Sequence, residues 1–361
     1  MTRPIKHRLS LVAGVVVLAS AGVARVAAAQ VELKSRALEI TLTGRLQTQF
    51  NSTSVSGERA SEFLIRRARL TAEIVVSDLV HGKVQPDFGE GRLALKDAYM
   101  QLRFSPALRT TFGQFKRPFD VFELTSSTQI LVVERAGGVN GVDTCAGPGG
   151  LCAYSRFTEK LGFSDRDIGV MADGRFNGGQ LEYAVSVTNG TGANREDENG
   201  SRSFSGRVAV VPLRGLRVAA NAGAHDFTNP ATGDEYAVAF GGDVEYGNFN
   251  EGLHVQAGLT TGDNWLNLVA TDPTRFVTTQ GIVTYKLPLT AGGYLSGIEP
   301  LFRVSWGDPD RATPGDAGWL LTPGFVAHIV GRNKIAANVD IWSPASGDTE
   351  WSLKVQAGMH F

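Results

Sequence analysis

Between Phe63 and Phe119 three runs place arginine and lysine among apolar residues in regular alternation. They are Phe63-Leu64-Ile65-Arg66-Arg67-Ala68-Arg69-Leu70, then Lys96-Asp97-Ala98-Tyr99-Met100-Gln101-Leu102-Arg103-Phe104, then Thr111-Phe112-Gly113-Gln114-Phe115-Lys116-Arg117-Pro118-Phe119. Period-two alternation puts polar and apolar side chains on opposite faces of a strand. The polar face here is repeatedly cationic, and Arg45 continues it in the earlier run Glu39–Asn51. A guanidinium presents a planar fork that matches carboxylate or phosphate oxygens in pairs, and an ammonium acts as a point charge. The chemistry on offer is therefore oxyanion binding, by Arg45, Arg67, Arg69, Arg103 and Lys116. Arg66 falls on the apolar parity and is expected at a membrane interface, where its long stem could snorkel.

Other chemistries find little support. His225, His254, His328 and His360 fall on four separate runs, without Asp or Glu at ligand spacing, so no metal site is expected. No Gly-x-Ser-x-Gly elbow and no phosphate-cradling glycine loop appears, and nothing singles out a nucleophile–base pair. An enzyme is not expected, and neither is a cofactor or a nucleic-acid partner. Cys145 and Cys152 enclose Ala-Gly-Pro-Gly-Gly-Leu. In an exported setting that spacing reads as a disulfide closing a small loop.

The elements that would position these residues are strands. Arg3, Lys6 and Arg8 precede the apolar stretch Leu9 to Gly22, and Ala27-Ala28-Ala29 offers a small-residue cut before Gln30. Residues 1–29 thus read as a cleaved secretory signal, leaving 30–361 as one unit. No later run reaches the roughly 18 apolar residues of a membrane-spanning helix. The chain has 43 Gly against 14 Pro, which suits many strands joined by tight turns. Strand-like runs recur to the end, short turns alternating with longer polar loops, and sixteen strands are expected. That layout is the one outer-membrane barrels use. The exception is Arg117 to Asp165, a long stretch without sustained alternation that contains both cysteines. A loop of this length in a compact fold is usually functional or disordered. All five Trp (265, 306, 319, 342, 351) sit at the loop ends of expected strands, which suggests half of an aromatic girdle. In the last run Trp351, Leu353, Val355, Ala357, Met359 and Phe361 share one face.

The runs Ile65-Arg66-Arg67-Ala68-Arg69-Leu70, Lys96 to Arg109 and Gly113 to Phe119, in this order and spacing, resemble the phosphate-selective porins of the O and P type. The close resemblance spans about residues 63–136. It implies an all-β transmembrane antiparallel barrel of the Gram-negative outer membrane, with loop 117–165 folded inward to narrow the lumen. It also implies a homotrimer in outer-membrane lipid, and a terminal Phe361 read by the barrel-assembly machinery. The implied function is passive diffusion of small anions, phosphate or pyrophosphate foremost.

Charge distribution bears on that function. Residues 31–120 hold 14 basic and 10 acidic side chains, whereas 121–361 hold 17 and 26. If the apolar faces meet lipid, Arg45, Arg67, Arg69, Arg103 and Lys116 point inward, because a cation facing hydrocarbon costs about 2–4 kcal/mol at mid-bilayer. Rings of Arg or Lys are a usual device for anion pores. Arg135 from the loop is a further candidate. The loop holds few other cations, Arg156 and Lys160 among them, and Asp97, Asp120, Glu123 and Glu134 could oppose the cationic row. A general porin with little ion preference, and a structural or adhesive surface barrel, therefore stand as alternatives.

Overall fold

The computed structural model describes residues 31–35, 38–55, 57–135, 153–249, 251–289 and 293–361. The expected signal segment 1–29 and both cysteines lie outside them.

Strand-period alternation with one apolar face leaves a sheet two options, to stack on another sheet or to close on itself. This sheet closes. The wall begins with β2 (Leu38–Val55), β3 (Glu58–Val75), β4 (Val80–Asp87), β5 (Ala94–Ser105) and β6 (Leu108–Lys116). After the long loop follow β7 (Arg166–Phe176), β8 (Leu181–Thr188), β9 (Ser203–Leu213), β10 (Leu216–Asn229) and β11 (Gly233–Asn248). The circuit ends with β12 (Glu251–Val269), β13 (Asp272–Tyr285), β15 (Leu295–Asp308), β16 (Gly318–Ile329), β17 (Lys334–Pro344) and β18 (Glu350–His360). Each pairs antiparallel with its chain neighbours, and β18 pairs with β2 from Trp351↔Ser54 to His360↔Arg45. Two short pieces complete the sheet. The strand β1 (Val31–Ser35) pairs with the start of β2, and β14 (Leu287–Pro288) extends β13 along β15. The wall is a closed sixteen-stranded antiparallel barrel, as expected.

Along each strand, outward residues such as Phe240, Leu259, Phe302 and Phe325 are exposed and apolar, while inward ones such as Gln256, Gln280 and Arg303 are buried and polar. Phe361 lies on the outward face, with its backbone bonded to Gly44 in both directions at 2.7 and 3.0 Å. The girdle expectation is corrected. Trp306, Trp319 and Trp351 face outward, but Trp265 donates its Nε1–H to the Leu161 carbonyl at 3.0 Å, and Trp342 is 1% exposed against Gly318. A Cβ at Gly318 would lie 2.2 Å from the Trp342 ring, so that ring needs a residue without a side chain there.

The long loop folds into the lumen, and it is not structureless. It holds two short helices, α1 (Val121–Leu124) and α2 (Tyr154–Lys160). Asp120 caps α1 by accepting the Glu123 N–H at 2.8 Å. The loop carries its own apolar side chains to the far wall. Phe122, Leu131, Val132, Val133 and Tyr154 pack with Ile282, Leu301, Val326 and Ala336 of β13, β15, β16 and β17. Phe119, Phe157, Leu161 and Phe163 pack with Phe227, Ala237, Ala239 and Phe276 of β10, β11 and β13. Polar ties fix the register: the Val133 N–H donates to Asn338 Oδ1 at 2.8 Å, and the Tyr154 N–H to Ser305 Oγ at 3.0 Å. Part of the lumen is thus filled by a protein core. Open space is left on the side of β2 to β7, and again beside β8 to β12, where Glu182, Arg207, Arg217, Glu245 and His254 line a second opening.

Candidate functional site: a cationic lumen

Two irregularities in the wall build the site. The β2–β3 register shifts between Gln47↔Arg67 and Thr48↔Ile65, which leaves Arg66 as the extra residue of a bulge. A bulge interrupts alternation, so Arg66 turns to the lumen beside Arg67 instead of facing lipid. The interface expectation for Arg66 is thereby corrected. The β4–β5 register shifts between Val84↔Ala98 and Pro86↔Leu95. It brings Lys96 into the same chamber as Asp97, although simple parity would send them to opposite faces.

The chamber has a free volume of about 260 Å³ and is lined by β2, β3, β4, β5, β6, β7 and the loop. Nine of its lining side chains are basic and five acidic, an excess of four positive charges. Six of the cations have carboxylate partners in the wall and loop. Glu134 takes Arg66 Nε at 2.7 Å, Arg66 Nη2 at 3.2 Å and Arg67 Nη2 at 3.2 Å. Arg69 Nε donates to Asp87 Oδ2 at 2.6 Å. Asp97 is shared by Arg166 at 2.7 Å and Lys83 at 3.1 Å. Arg135 is tied to the loop itself, donating to the Phe122 carbonyl at 2.6 Å with Glu123 at 3.6 Å.

Three cations have no carboxylate within salt-bridge distance among the described residues. Arg45 donates to the Ser127 hydroxyl. Lys116 donates to the carbonyls of Glu123 and Thr125, the latter at 3.1 Å. Lys96 makes no hydrogen bond with a described residue, and shares the chamber with Arg69 and Arg166, whose repulsion is offset in part by Asp165 and Asp87. Such groups keep their attraction for an incoming anion, whereas a paired guanidinium has spent most of it.

The loop's acids divide into two kinds. Burial pushes the Glu134 carboxyl up, but Arg67 and Arg66 outweigh that and hold it at about 2. Burial, reinforced by Glu123, pushes Asp120 up to about 7, and Glu159 is raised to about 7 by the same two causes. Glu134 is therefore a fixed charge. Asp120 and Glu159 titrate near neutrality.

A sequence profile of the phosphate-selective porin O and P family matches residues 40–251, more than half of the chain. This chain belongs to that family. No curated protein matches it at sequence level. Among solved structures, the fold is similar to the outer membrane channel DcaP of Acinetobacter baumannii, with TM-score 0.62 and 13% identity over 91% of this chain and 99% of that one. It is equally similar to an anion-selective porin from Comamonas acidovorans, with TM-score 0.62 and 13% identity over 90% and 100%. A trimer form of OmpT from Vibrio cholerae gives TM-score 0.58 and 11% identity over 90% and 100%. This porin is accordingly an outer-membrane channel protein by family and fold.

Of the residues expected along an anion path, Arg45, Arg67, Arg69, Lys116 and Arg135 meet in the chamber. Arg103 does not. It is seven residues along β5 from Lys96, about 23 Å at strand rise, and it is exposed near the turn end, donating to Gln101 Oε1 at 2.8 Å. Lys96, Lys83 and Arg166 line the chamber and were not among the expected residues. Arg166 opens β7 directly after the loop, opposite Lys116, and its place in the register was the available signal.

Proposed function

We propose that this porin passes small anions passively between its loop end and its turn end, phosphate or pyrophosphate foremost. The observation that carries the proposal is the trio Arg45, Lys96 and Lys116, three cations without carboxylate partners among the described residues, beside paired Arg67 and Arg69. An anion shedding water in a narrow passage gains from such groups what it loses in hydration. Arg135 acts mainly on the loop, holding α1 in place. The channel has no need of a cofactor or a catalytic step.

A general porin with little ion preference is the second reading. It is favoured by the acids Asp87, Asp97 and Glu134, which neutralise five cations of the same wall. The test is the reversal potential of the purified protein in a planar bilayer under a potassium chloride gradient, with phosphate then added as competitor. Anion-selective current blocked by phosphate is the expected result. Unselective current would favour the general porin, and absence of current a structural or adhesive surface barrel.

Assembly follows the same reading. A homotrimer in outer-membrane lipid is supported by the trimer form of OmpT, and insertion through the barrel-assembly machinery by the outward Phe361. Export on a signal at residues 1–29 and a Cys145–Cys152 disulfide complete the proposal. Mass spectrometry of the mature protein before and after reduction tests both.

A further inference from the structure

The bulge in β3 produces an unusual seat. Two consecutive arginines enter the lumen, and their Nε–H and Nη–H groups converge on one point. Paired, charge-assisted donors of this kind are what an incoming phosphate or carboxylate would engage. In this structure the point is occupied by Glu134, which accepts three of those N–H bonds, at 2.7, 3.2 and 3.2 Å. Arg66 is also held from the other side by Glu90 at 2.8 Å, and Arg67 by the Gln47 amide oxygen at 2.9 Å. The seat is therefore braced and would keep its shape without Glu134.

Glu134 is itself placed from behind. Arg303 donates to the carbonyls of Glu134 and Arg135 at 3.0 and 3.2 Å, and the loop's apolar run Leu131 to Val133 packs on the far wall. The carboxylate is thus delivered to the seat by a fixed stretch of backbone. Arg45, Lys96 and Lys116, in the same chamber, receive no such partner among the described residues.

We propose that Glu134 is a tethered stand-in for the permeating anion: it occupies the Arg66–Arg67 oxyanion seat and keeps passing anions from being trapped there. The inference rests on the anion-channel reading above and names the residue that tunes it. With the seat filled, an anion meets only the single-point cations, binds weakly and leaves quickly. Conduction needs binding favourable enough to enter and weak enough to exit, and the tethered carboxylate supplies the second condition.

The test is Glu134→Gln, which keeps shape and the acceptor oxygen while removing the charge. Single-channel current would be recorded in potassium chloride with inorganic phosphate as the probe, and folding checked by heat-modifiable migration. The expected result is phosphate block at roughly tenfold lower concentration than wild type, as an added bidentate charge-assisted contact would give. Anion preference should rise in parallel. The double variant Arg66→Gln with Glu134→Gln should return block to near the wild-type concentration, because half of the seat is gone. Unchanged block and unchanged preference in folded E134Q would overturn the inference while leaving the anion channel intact. So would tight block that persists in the double variant, since the seat would then lie elsewhere. If wild type proves unselective and unblocked, the anion-channel reading falls. In that case phosphate block gained only by E134Q would still support the seat, and its failure to appear would overturn both.

Discussion

Asp340 is the most consequential single charge on the far wall. Its side chain is fully buried and takes Arg303 Nη2 at 2.9 Å, the Thr322 hydroxyl at 2.6 Å and the Lys354 ammonium. Both cations are themselves 0% exposed. Asp340→Asn would leave two buried positive groups facing a neutral amide. Removing one partner of a buried pair costs about 3–5 kcal/mol. The retained amide oxygen can still accept one of the hydrogen bonds, so the lower end applies. At about 2 °C per kcal/mol for a large domain, the thermal midpoint should fall by roughly 6 °C. The control is Thr322→Val, which removes a hydroxyl that donates to Asp340 and accepts from Arg303 Nε and Nη2 at 3.0 and 2.9 Å, and should cost about 1–3 kcal/mol. The assay is loss of β-signal by circular dichroism in detergent, checked by the temperature at which compact electrophoretic migration is lost. Because Arg303 also holds the Glu134 and Arg135 carbonyls, hydrogen exchange should quicken at residues 131–135 in D340N before the wall itself opens. An asparagine variant melting within about 1 °C of wild type would refute the reasoning, as would a Thr322→Val effect larger than that of D340N.

Three further outcomes are expected. Replacing Arg45 and Lys96 together by Gln halves the chamber's excess of positive charge from four to two, and the reversal potential should move toward the unselective value with the melting temperature little changed. The buried acid Asp120 gives the loop a pH dependence: its folded pKa is raised to about 7, so the stability it contributes is complete below its ordinary value and is lost as pH rises through 7. Exchange at residues 117–124, corrected for its intrinsic pH dependence, should therefore quicken between about pH 4 and 7, and Asp120→Asn, which keeps a capping oxygen, should remove most of that change. Gly113, at φ +125°, would place a Cβ 2.3 Å from the Ala98 carbonyl oxygen; Gly113→Ala should cost about 1–3 kcal/mol in urea titration, as forced backbone strain does.

Alternation carried most of the fold into view at the level of sequence. Leu253 to Thr260 and Lys334 to Ile341 sort correctly into outward and inward sets, because each stays in unbroken register with the strand that follows it. The errors lie where register breaks. Arg66 and Lys96 change face through bulges, and a bulge depends on the partner strand as much as on its own residues. Arg103 has the right parity but lies too far along β5, since parity says nothing of depth. Glu134 was among the acids expected to oppose the cationic row, but its place on Arg66 and Arg67 was not, since only the folded loop delivers it there; the pairing of Arg69 with Asp87 was hidden in the β3–β4 register. Trp265 and Trp342 looked like interface residues by position, yet each found a partner inside, the first through its indole N–H and the second in the space left by Gly318. The inward course of the loop was expected from the family resemblance. Its two helices, and the apolar far-wall residues that receive it, were not.

The seam between β18 and β2 has a consequence for how this molecule is made. Gln356 donates to Gln49 across 307 residues of chain. When β2 leaves the ribosome, the strand that will lie along its free side has not been translated. Until then every growing chain presents an unpaired edge, an invitation to stick to its neighbours. Local hairpins can form early, but the ring itself can be sealed only after β18 has been made. A chain stopped anywhere before β18 would retain most of its hairpins and still have no continuous wall, and quality control in the cell envelope would meet it as an adhesive ribbon and not as a leaky pore.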